Sequence, residues 1–247
     1  MSYAPNSDYA LEVAKGKVPG TAYVNKFGRN SAIASAGTEE IWDGSAAYVF
    51  PATALMTSIS QTTDQTALRG GTIEVQGLAD DWSLVTQNAT LDAANTTTVV
   101  TLTTALRRCF RMRVLEDVVS DSPIRVHNAG ETQDYAIIDT GNNQTLMAIY
   151  TVPAAKTAYV TSYYAHHNPK SGNNFTANPI KLWASDRGNA YAKQLKHVVG
   201  LPENGGFQHS FEPYVKFVAK TDLYITSSPT GAAADVSAGF DLYLVDD

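Results

Sequence analysis

The chain has 247 residues, enough for one large β domain or two smaller ones with a buried core. Hydrophobic residues make up 44% of the chain, which argues against disorder throughout, and charged residues make up only 17%, below the ~25% of an average soluble domain. The net charge of −6 argues against direct binding of nucleic acid, because the densest basic patch is only Arg107-Arg108 with Arg111 and Arg113.

The amino-terminal segment 1–20 is predicted to be an arm, or to hold a short helix over Asp8–Lys15. It lacks a basic start followed by an apolar stretch, so we expect no signal peptide and no membrane span. Synthesis in a cytoplasm is therefore expected. Cys109 is the single cysteine, so no internal disulfide can form, and a packed side chain is expected there.

Short strands broken by turn residues follow along the rest of the chain. The predicted strands are Thr21–Lys26, Ala46–Phe50, Leu55–Gln61, Thr72–Leu78, Trp82–Leu91, Thr97–Thr103, Cys109–Glu116, Ile124–His127, Tyr135–Asp139, Gln144–Val152, Thr157–His166, Ile180–Ala184, Tyr191–Val199, Phe207–Phe211, Tyr214–Ala219, Leu223–Thr226 and Val236–Val245. This spacing predicts an all-β protein, an antiparallel β-sandwich or jelly roll built from two packed β modules. The turn-forming cluster Asp139–Asn143 predicts an amino-terminal β domain over 21–143 and a carboxy-terminal β-sandwich over 144–247.

The stretch QTLMAIYTVPAAKTAYVTSYYAHHNP, at Gln144–Pro169, predicts two strands around a corner that Pro153 fixes. Strict alternation puts Tyr159 and Tyr163 on one face of the second strand, and neither strand shows a polar side, which a half-exposed strand should have. We therefore expect one face to meet the domain core and the other to meet another domain or subunit. The candidate interface residues are Met147, Ile149, Tyr159, Tyr163, Tyr164, Trp42 and Trp183.

The residues that suggest chemistry do not form a catalytic or metal-binding motif. His166 and His167 are adjacent on a strand, so they point to opposite faces and cannot easily share one ion. Glu39 and Glu40 lie beside Trp42, as in a sugar-cleaving site, but glycosidase carboxylates face each other across a cleft from different strands. No nucleophile elbow and no phosphate-binding loop is present. We expect no catalytic residue, no cofactor, no metal and no enzymatic activity.

Four stretches spread along the chain resemble a family of virion structural proteins of tailed bacteriophages. They are GTAYVNKFGRN at Gly20–Asn30, GTEEIWDGSAAYVFP at Gly37–Pro51, NQTLMAIYTVPAAKTAYVTSYYA at Asn143–Ala165 and AKTDLYITSSPTGAAADVSAGFDLYLVDD at Ala219–Asp247. Where the family usually has V-P-A-G-K, this chain has Ala155. The resemblance implies a virion component and carries over no catalytic residue.

Our leading hypothesis is a capsid decoration or cement protein on the outer head, acting through contacts with the major capsid protein or other virion proteins. A homotrimer without nucleic-acid or membrane contact is expected. One alternative is a tail-fibre, baseplate or receptor-binding protein that grips host glycans through Trp42, Trp183 and Tyr163-Tyr164. A third hypothesis, a glycan depolymerase using Glu39 and Glu40, is disfavoured because no repetitive β-helix pattern is present.

Overall fold

The structure is a computed structural model that describes residues 8–44, 47–168, 177–186 and 192–247. The first seven residues of the predicted arm 1–20, and Tyr191 of a predicted strand, lie outside the described residues. Helix α1, Tyr9–Ala14, begins after Asp8, whose side chain accepts hydrogen bonds from the N–H groups of Ala10 and Leu11. The described strands all pair antiparallel, which confirms the all-β antiparallel prediction. A jelly-roll connection of the strands stays a prediction.

Sandwich I is built from the middle of the chain. Its strands are β3 Met56–Gln61, β4 Thr72–Leu78, β5 Leu84–Thr90, β6 Val100–Leu106, β7 Arg108–Val114, β8 Ile124–His127 and β9 Asp134–Ile138, with a 3-10 turn at Thr66–Leu68. One sheet has the order β6-β3-β8-β9 and the other β5-β4-β7. Alternate apolar residues, such as Ile73 and Val75 of β4 and Met112 of β7, meet between the two sheets in one core.

Sandwich II is built from both ends of the described chain. Its strands are β1 Thr21–Ile33, β2 Glu39–Glu40, β10 Ile149–Thr151, β11 Lys156–His167, β12 Asn178–Asp186, β13 Ala192–Leu201, β14 Gly206–Phe217, β15 Thr221–Ser227 and β16 Ala234–Asp246. The front sheet has the order β1-β16-β11-β14, and the back sheet has the order β10-β15-β12-β13, with β2 beside β15. The range 21–143 therefore contains strands of both sandwiches, and sandwich I is inserted between β2 and β10.

The segment 147–152 runs between the two cores. Met147 and Ile149 pack in the core of sandwich I, whereas Ala148, Tyr150 and Val152 pack in the core of sandwich II. Both faces of β10 are thus buried inside one chain, as its two-sided apolar pattern predicts. The partner of the second face is the other sandwich, so this strand needs no second subunit to cover it.

A buried ion pair, Arg108 of β7 with Asp222 of β15, joins the two sandwiches. The two side chains are 1% and 2% exposed. The Nε and Nη2 atoms of Arg108 donate to the two oxygens of Asp222 at 2.9 and 3.0 Å. The hydroxyl of Thr151 also donates to Asp222, at 2.6 Å. This bidentate geometry is the strong form of such a pair.

The remaining surroundings of Arg108 compensate for its desolvation. Its Nη1 atom donates to the backbone oxygens of Pro51 and Arg107 at 2.7 and 2.8 Å. The guanidinium lies 5.3 Å from the ring centroids of both Phe50 and Trp82. A buried charge is tolerated only with such satisfaction of its donors, so the junction has one well-defined arrangement.

Replacing Arg108 by Met should lower the free energy of unfolding by about 3–5 kcal/mol, because Asp222 is left buried without its partner. Arg113→Met is the matched control on the same strand: Arg113 is half exposed and pairs with Glu74 at 2.8 Å, so its loss should cost no more than about 1 kcal/mol. Urea denaturation of both variants measures the difference. Equal costs for the two variants would contradict the role assigned to Arg108.

Candidate interaction surface

Tyrosines line up across the outer side of the front sheet. Tyr243 of β16 stands opposite Tyr23 of β1 on one side and Tyr159 of β11 on the other. Residues directly opposite each other in neighbouring strands have side chains within contact distance. The three residues therefore form one aromatic row across three strands, and its ends are Tyr23, 49% exposed, and the half-buried Tyr159.

Two further tyrosines extend this row. The ring of Tyr9 in α1 lies 5.4 Å from that of Tyr243, edge to face, and the ring of Tyr214 in β14 lies 6.0 Å from it. Tyr9 and Tyr214 are 42% and 51% exposed. We call the set of Tyr9, Tyr23, Tyr159, Tyr164, Tyr214 and Tyr243 the tyrosine face.

A carboxylate at the centre of the sheet holds Tyr23, at one end of the aromatic row, and ring contacts with Tyr243 position Tyr9, Tyr23 and Tyr214. Asp241 of β16 accepts hydrogen bonds from the hydroxyl of Tyr23 at 2.6 Å and from the amide of Asn25 at 2.7 Å. Ser162 of β11 donates to its second oxygen at 3.0 Å. Burial and the bond to Asp241 raise the pKa of Tyr23, so its phenol stays protonated and donates. The face is therefore ordered before any partner arrives, which lowers the entropic cost of docking.

The sixth tyrosine of the face, Tyr164, lies over a glycine. A Cβ atom at Gly239 of β16 would collide with the Tyr164 ring and with the backbone oxygen of Lys26. Gly239 is opposite Tyr164 in the register of the sheet. The absence of a side chain there lets the ring lie flat against the strand.

A β-bulge in β11 separates Tyr159 from Tyr163, so the expectation that they share a face is wrong. The register of β11 slips between Val160 and Ser162 against both of its neighbours. One extra residue reverses the alternation after that point. Tyr163 consequently points into the core, where it is fully buried and its hydroxyl contacts Nδ1 of His197. Tyr159 and Tyr164 stay on the outer side.

The other candidate interface residues lie in contacts within the chain. Met147, Ile149 and Trp42 are at most 3% exposed and pack in the core of sandwich I. Trp183 is half-buried, donates to the hydroxyl of Thr226 at 2.9 Å, and has a lysine ammonium over its ring. None of these four belongs to the tyrosine face, and the structure does not bring them together with Tyr159 and Tyr164.

Four tyrosines of the face were missed by sequence reasoning: Tyr9, Tyr23, Tyr214 and Tyr243. The sequence contained one usable signal, since Tyr23 and Tyr243 each break an otherwise alternating strand with an aromatic residue on the polar side. That signal predicts a shared aromatic surface only if β1 and β16 are known to be neighbouring strands.

The two glutamates have structural partners, and the two adjacent histidines do not share a face. Glu39 accepts from the N–H of Ala34 at 3.0 Å, and Glu40 accepts from the N–H of Tyr48 at 2.8 Å. On β11, His166 is exposed and His167 is buried, on opposite faces. Among the described residues, no group of three or more His, Cys, Asp and Glu side chains could hold a metal ion.

One carboxylate near the inter-sandwich loops titrates unusually. Burial, with Asp139 as a further cause, raises the pKa of Asp43 to about 7, although the N–H of Leu146 donates to it at 3.0 Å. Asp43 and Arg29 line one polar cavity, and Arg29 forms an ion pair with Asp235 at 2.6 Å.

In the described part of the chain, no helix is long and apolar enough to cross a bilayer.

Comparison with known proteins gives little. No protein-family model matches the chain, and no curated protein matches it. A chain in the solved structure of infectious bursal disease virus Gt strain is similar over 97% of this chain and 78% of that one, at 9% identity and a TM-score of 0.21. A similarity of that size carries no argument about function.

Gly239→Ala should lower the free energy of unfolding by about 1–3 kcal/mol, because the added methyl displaces either the Tyr164 ring or a strand backbone. Gly200→Ala in β13 is the control, since a Cβ there meets nothing within 4 Å. That variant should be neutral or slightly stabilising. Thermal unfolding compares the two, and a neutral Gly239→Ala would contradict the packing described for Tyr164.

Acidification should lower the free energy of unfolding through two histidines that lie between β13 and β14, the edge strands of the back and front sheets. The rings of His197 and His209 stack there at 4.4 Å. Burial first, and His209 second, lower the pKa of His197. The unfolded chain therefore binds this proton at a higher pH than the folded chain, so stability falls as the pH drops through ~6.5.

The measurement is the free energy of unfolding of His197→Gln and wild type between pH 7 and pH 5. The variant should show a shallower decline than wild type. His166→Gln, at an exposed site on β11, should keep the wild-type slope. Superimposable profiles for His197→Gln and wild type would overturn this assignment.

Proposed function

We propose that this chain is a virion structural protein of a tailed bacteriophage that decorates or cements the outer capsid as a homotrimer. Its role is mechanical and non-catalytic: it binds neighbouring virion proteins, foremost the major capsid protein. The observation that carries the proposal is the tyrosine face, a preordered aromatic surface on the outer side of the front sheet.

The composition of the tyrosine face supports protein–protein contact. Tyrosine is enriched at the centres of interfaces, because it buries a large area at a small entropic cost and keeps a polar end. Three of the six rings are between 42% and 51% exposed. An ordered patch of this kind is a general mark of an interaction site on a soluble domain.

The geometry around Tyr23 also favours a protein partner. Its hydroxyl already donates to Asp241 at 2.6 Å, so the ring of Tyr23, rather than its hydroxyl, is available to a partner. The rigid joint at Arg108 and Asp222 supports the role of a cement, because a load-bearing protein must hold its two modules in one orientation. The resemblance to virion structural proteins of tailed phages supports a phage particle as the assembly in which this surface would act.

The test compares particles assembled with wild-type chain and with Tyr23→Ser/Tyr214→Ser. Copies of the chain per particle are counted by quantitative mass spectrometry, and gold-labelled antibody reports their position. Loss of these two exposed tyrosines should reduce occupancy at least about tenfold, since each tyrosine that an interface covers is worth ~1–2 kcal/mol. Wild-type label should cover the heads.

The matched control is Leu115→Ser/Val119→Ser, which removes two apolar side chains, 47% and 54% exposed, from sandwich I. It should keep the wild-type copy number. Label confined to the tail removes the capsid assignment, and an unchanged copy number for the double tyrosine variant removes the tyrosine face as the docking surface.

A further inference from the structure

A cleft of about 540 Å³ lies where the two sandwiches meet, between β1 and the sheet β5-β4-β7. Two side chains cross it. Arg111 of β7 donates from Nη2 to the backbone oxygen of Asn25 at 2.9 Å. Lys26 of β1 donates from Nζ to the backbone oxygen of Phe110. The cleft is therefore formed by both sandwiches and exists only in the assembled chain.

The cleft contains a buried cation with no anionic partner. The Lys26 residue is 3% exposed, and its ammonium can donate three hydrogen bonds, of which Phe110 takes one. Arg111 is a second, half-buried cation in the same wall. Among the described residues that line the cleft, none is Asp or Glu. Burying a lysine without a carboxylate is costly, and an anionic ligand would offset that cost.

The rest of the cleft is suited to an apolar body with a polar end. Val24, Leu84 and Leu244 supply aliphatic wall, and Phe110 and Tyr150 supply rings whose centroids are 4.8 Å apart. Gln76 and Gln144 add amide groups. An apolar lining with a few convergent polar groups is the usual make-up of a small-molecule site.

We propose that this junction cleft binds a small organic carboxylate, with its carboxylate between Lys26 and Arg111 and its apolar body against Leu84 and Phe110. The proposal is independent of the virion role, since it rests on Lys26 and Arg111 at the junction, although Tyr23 of the tyrosine face also lines the cleft. A carboxylate matches the planar fork of an arginine and neutralises a neighbouring ammonium.

The titration of Lys26 gives the proposal a distinctive consequence. Burial first, and Arg111 second, lower the pKa of Lys26 to about 7, while Cys109 acts slightly in the opposite direction. Burial raises the pKa of Cys109 to about 12, so this thiol supplies no negative charge near neutrality. The titratable and charged groups around Lys26 are Arg111 and Cys109 on β7, Tyr150 on β10, Tyr23 on β1, and Glu74 paired with Arg113 on the adjoining sheet.

A bound carboxylate favours the protonated amine, so binding must take up a proton when the free amine is neutral. At pH 8 an amine with a pKa of about 7 is largely neutral, and uptake of close to one proton is expected. Above pH 8 the affinity should fall by up to about tenfold per pH unit.

The experiment is calorimetric titration of the full chain with phenylacetate at pH 8, in buffers of different ionisation enthalpy. Phenylacetamide, the neutral analogue, and inorganic phosphate, an anion without an apolar body, are the ligand controls. We expect phenylacetate to bind at least tenfold tighter than either control, with uptake of about one proton. Lys26→Met and Arg111→Met should each weaken binding at least tenfold, and Lys216→Met, on exposed β14, should leave it unchanged.

Equal affinity for phenylacetate and phenylacetamide, binding of phosphate as tight as phenylacetate, an unaffected Lys26→Met, or no binding at millimolar phenylacetate would each overturn the proposal. The proton uptake is measured on wild type, so the test does not depend on the folding of either variant. If the particle experiment excluded the virion role, the binding of phenylacetate would still stand. If phenylacetate failed to bind, the virion role would still stand.

Discussion

The buried pair of Arg108 and Asp222 is the constraint on which the arrangement of the two sandwiches depends. Arg108 belongs to sandwich I and Asp222 to sandwich II, and both are nearly inaccessible to water. A charge in that environment must keep its partner, because a shift of one packed module against the other would leave both ions buried and unpaired. The pair therefore selects one relative orientation, and apolar contacts such as Phe110 against Tyr150 at 4.8 Å complete the joint. The junction cleft and the position of β1 beside sandwich I follow from that orientation.

Much of the fold could be predicted from the sequence, since it depends on local pattern. The strand predicted at Cys109–Glu116 corresponds to β7, and the two-sided apolar pattern of 147–152 corresponds to a strand buried on both faces. The register shift in β7, which sends Phe110 into the core of sandwich II and Met112 into that of sandwich I, had no local signal. The pairing of β1 with β16 could not be predicted, because it joins residues more than 200 positions apart without a local signal. The bulge in β11 was equally invisible: one extra residue after Val160 reverses the faces of everything that follows, and Tyr163 enters the core instead of the surface.

The candidate surface shows the same division between local and long-range information. Strands without a polar side in Gln144–Pro169 predicted a contact surface, but three of the residues first chosen, Met147, Ile149 and Trp42, pack within the chain. The tyrosine face arises from residues brought together by the front sheet, and Asp241 accepts a hydrogen bond from one of them, Tyr23. Sequence reasoning thus predicted a contact surface but not the residues of the tyrosine face, because strand order decides which residues are neighbours.

The proposed virion role requires the outer side of the front sheet to meet another virion protein, and the most direct measurement is a density map of the intact particle. It should place this chain on the outside of the head, with Tyr9, Tyr23 and Tyr214 covered by a neighbouring subunit. A map in which those three rings face solvent, or in which the chain occurs only in the tail, would contradict the account.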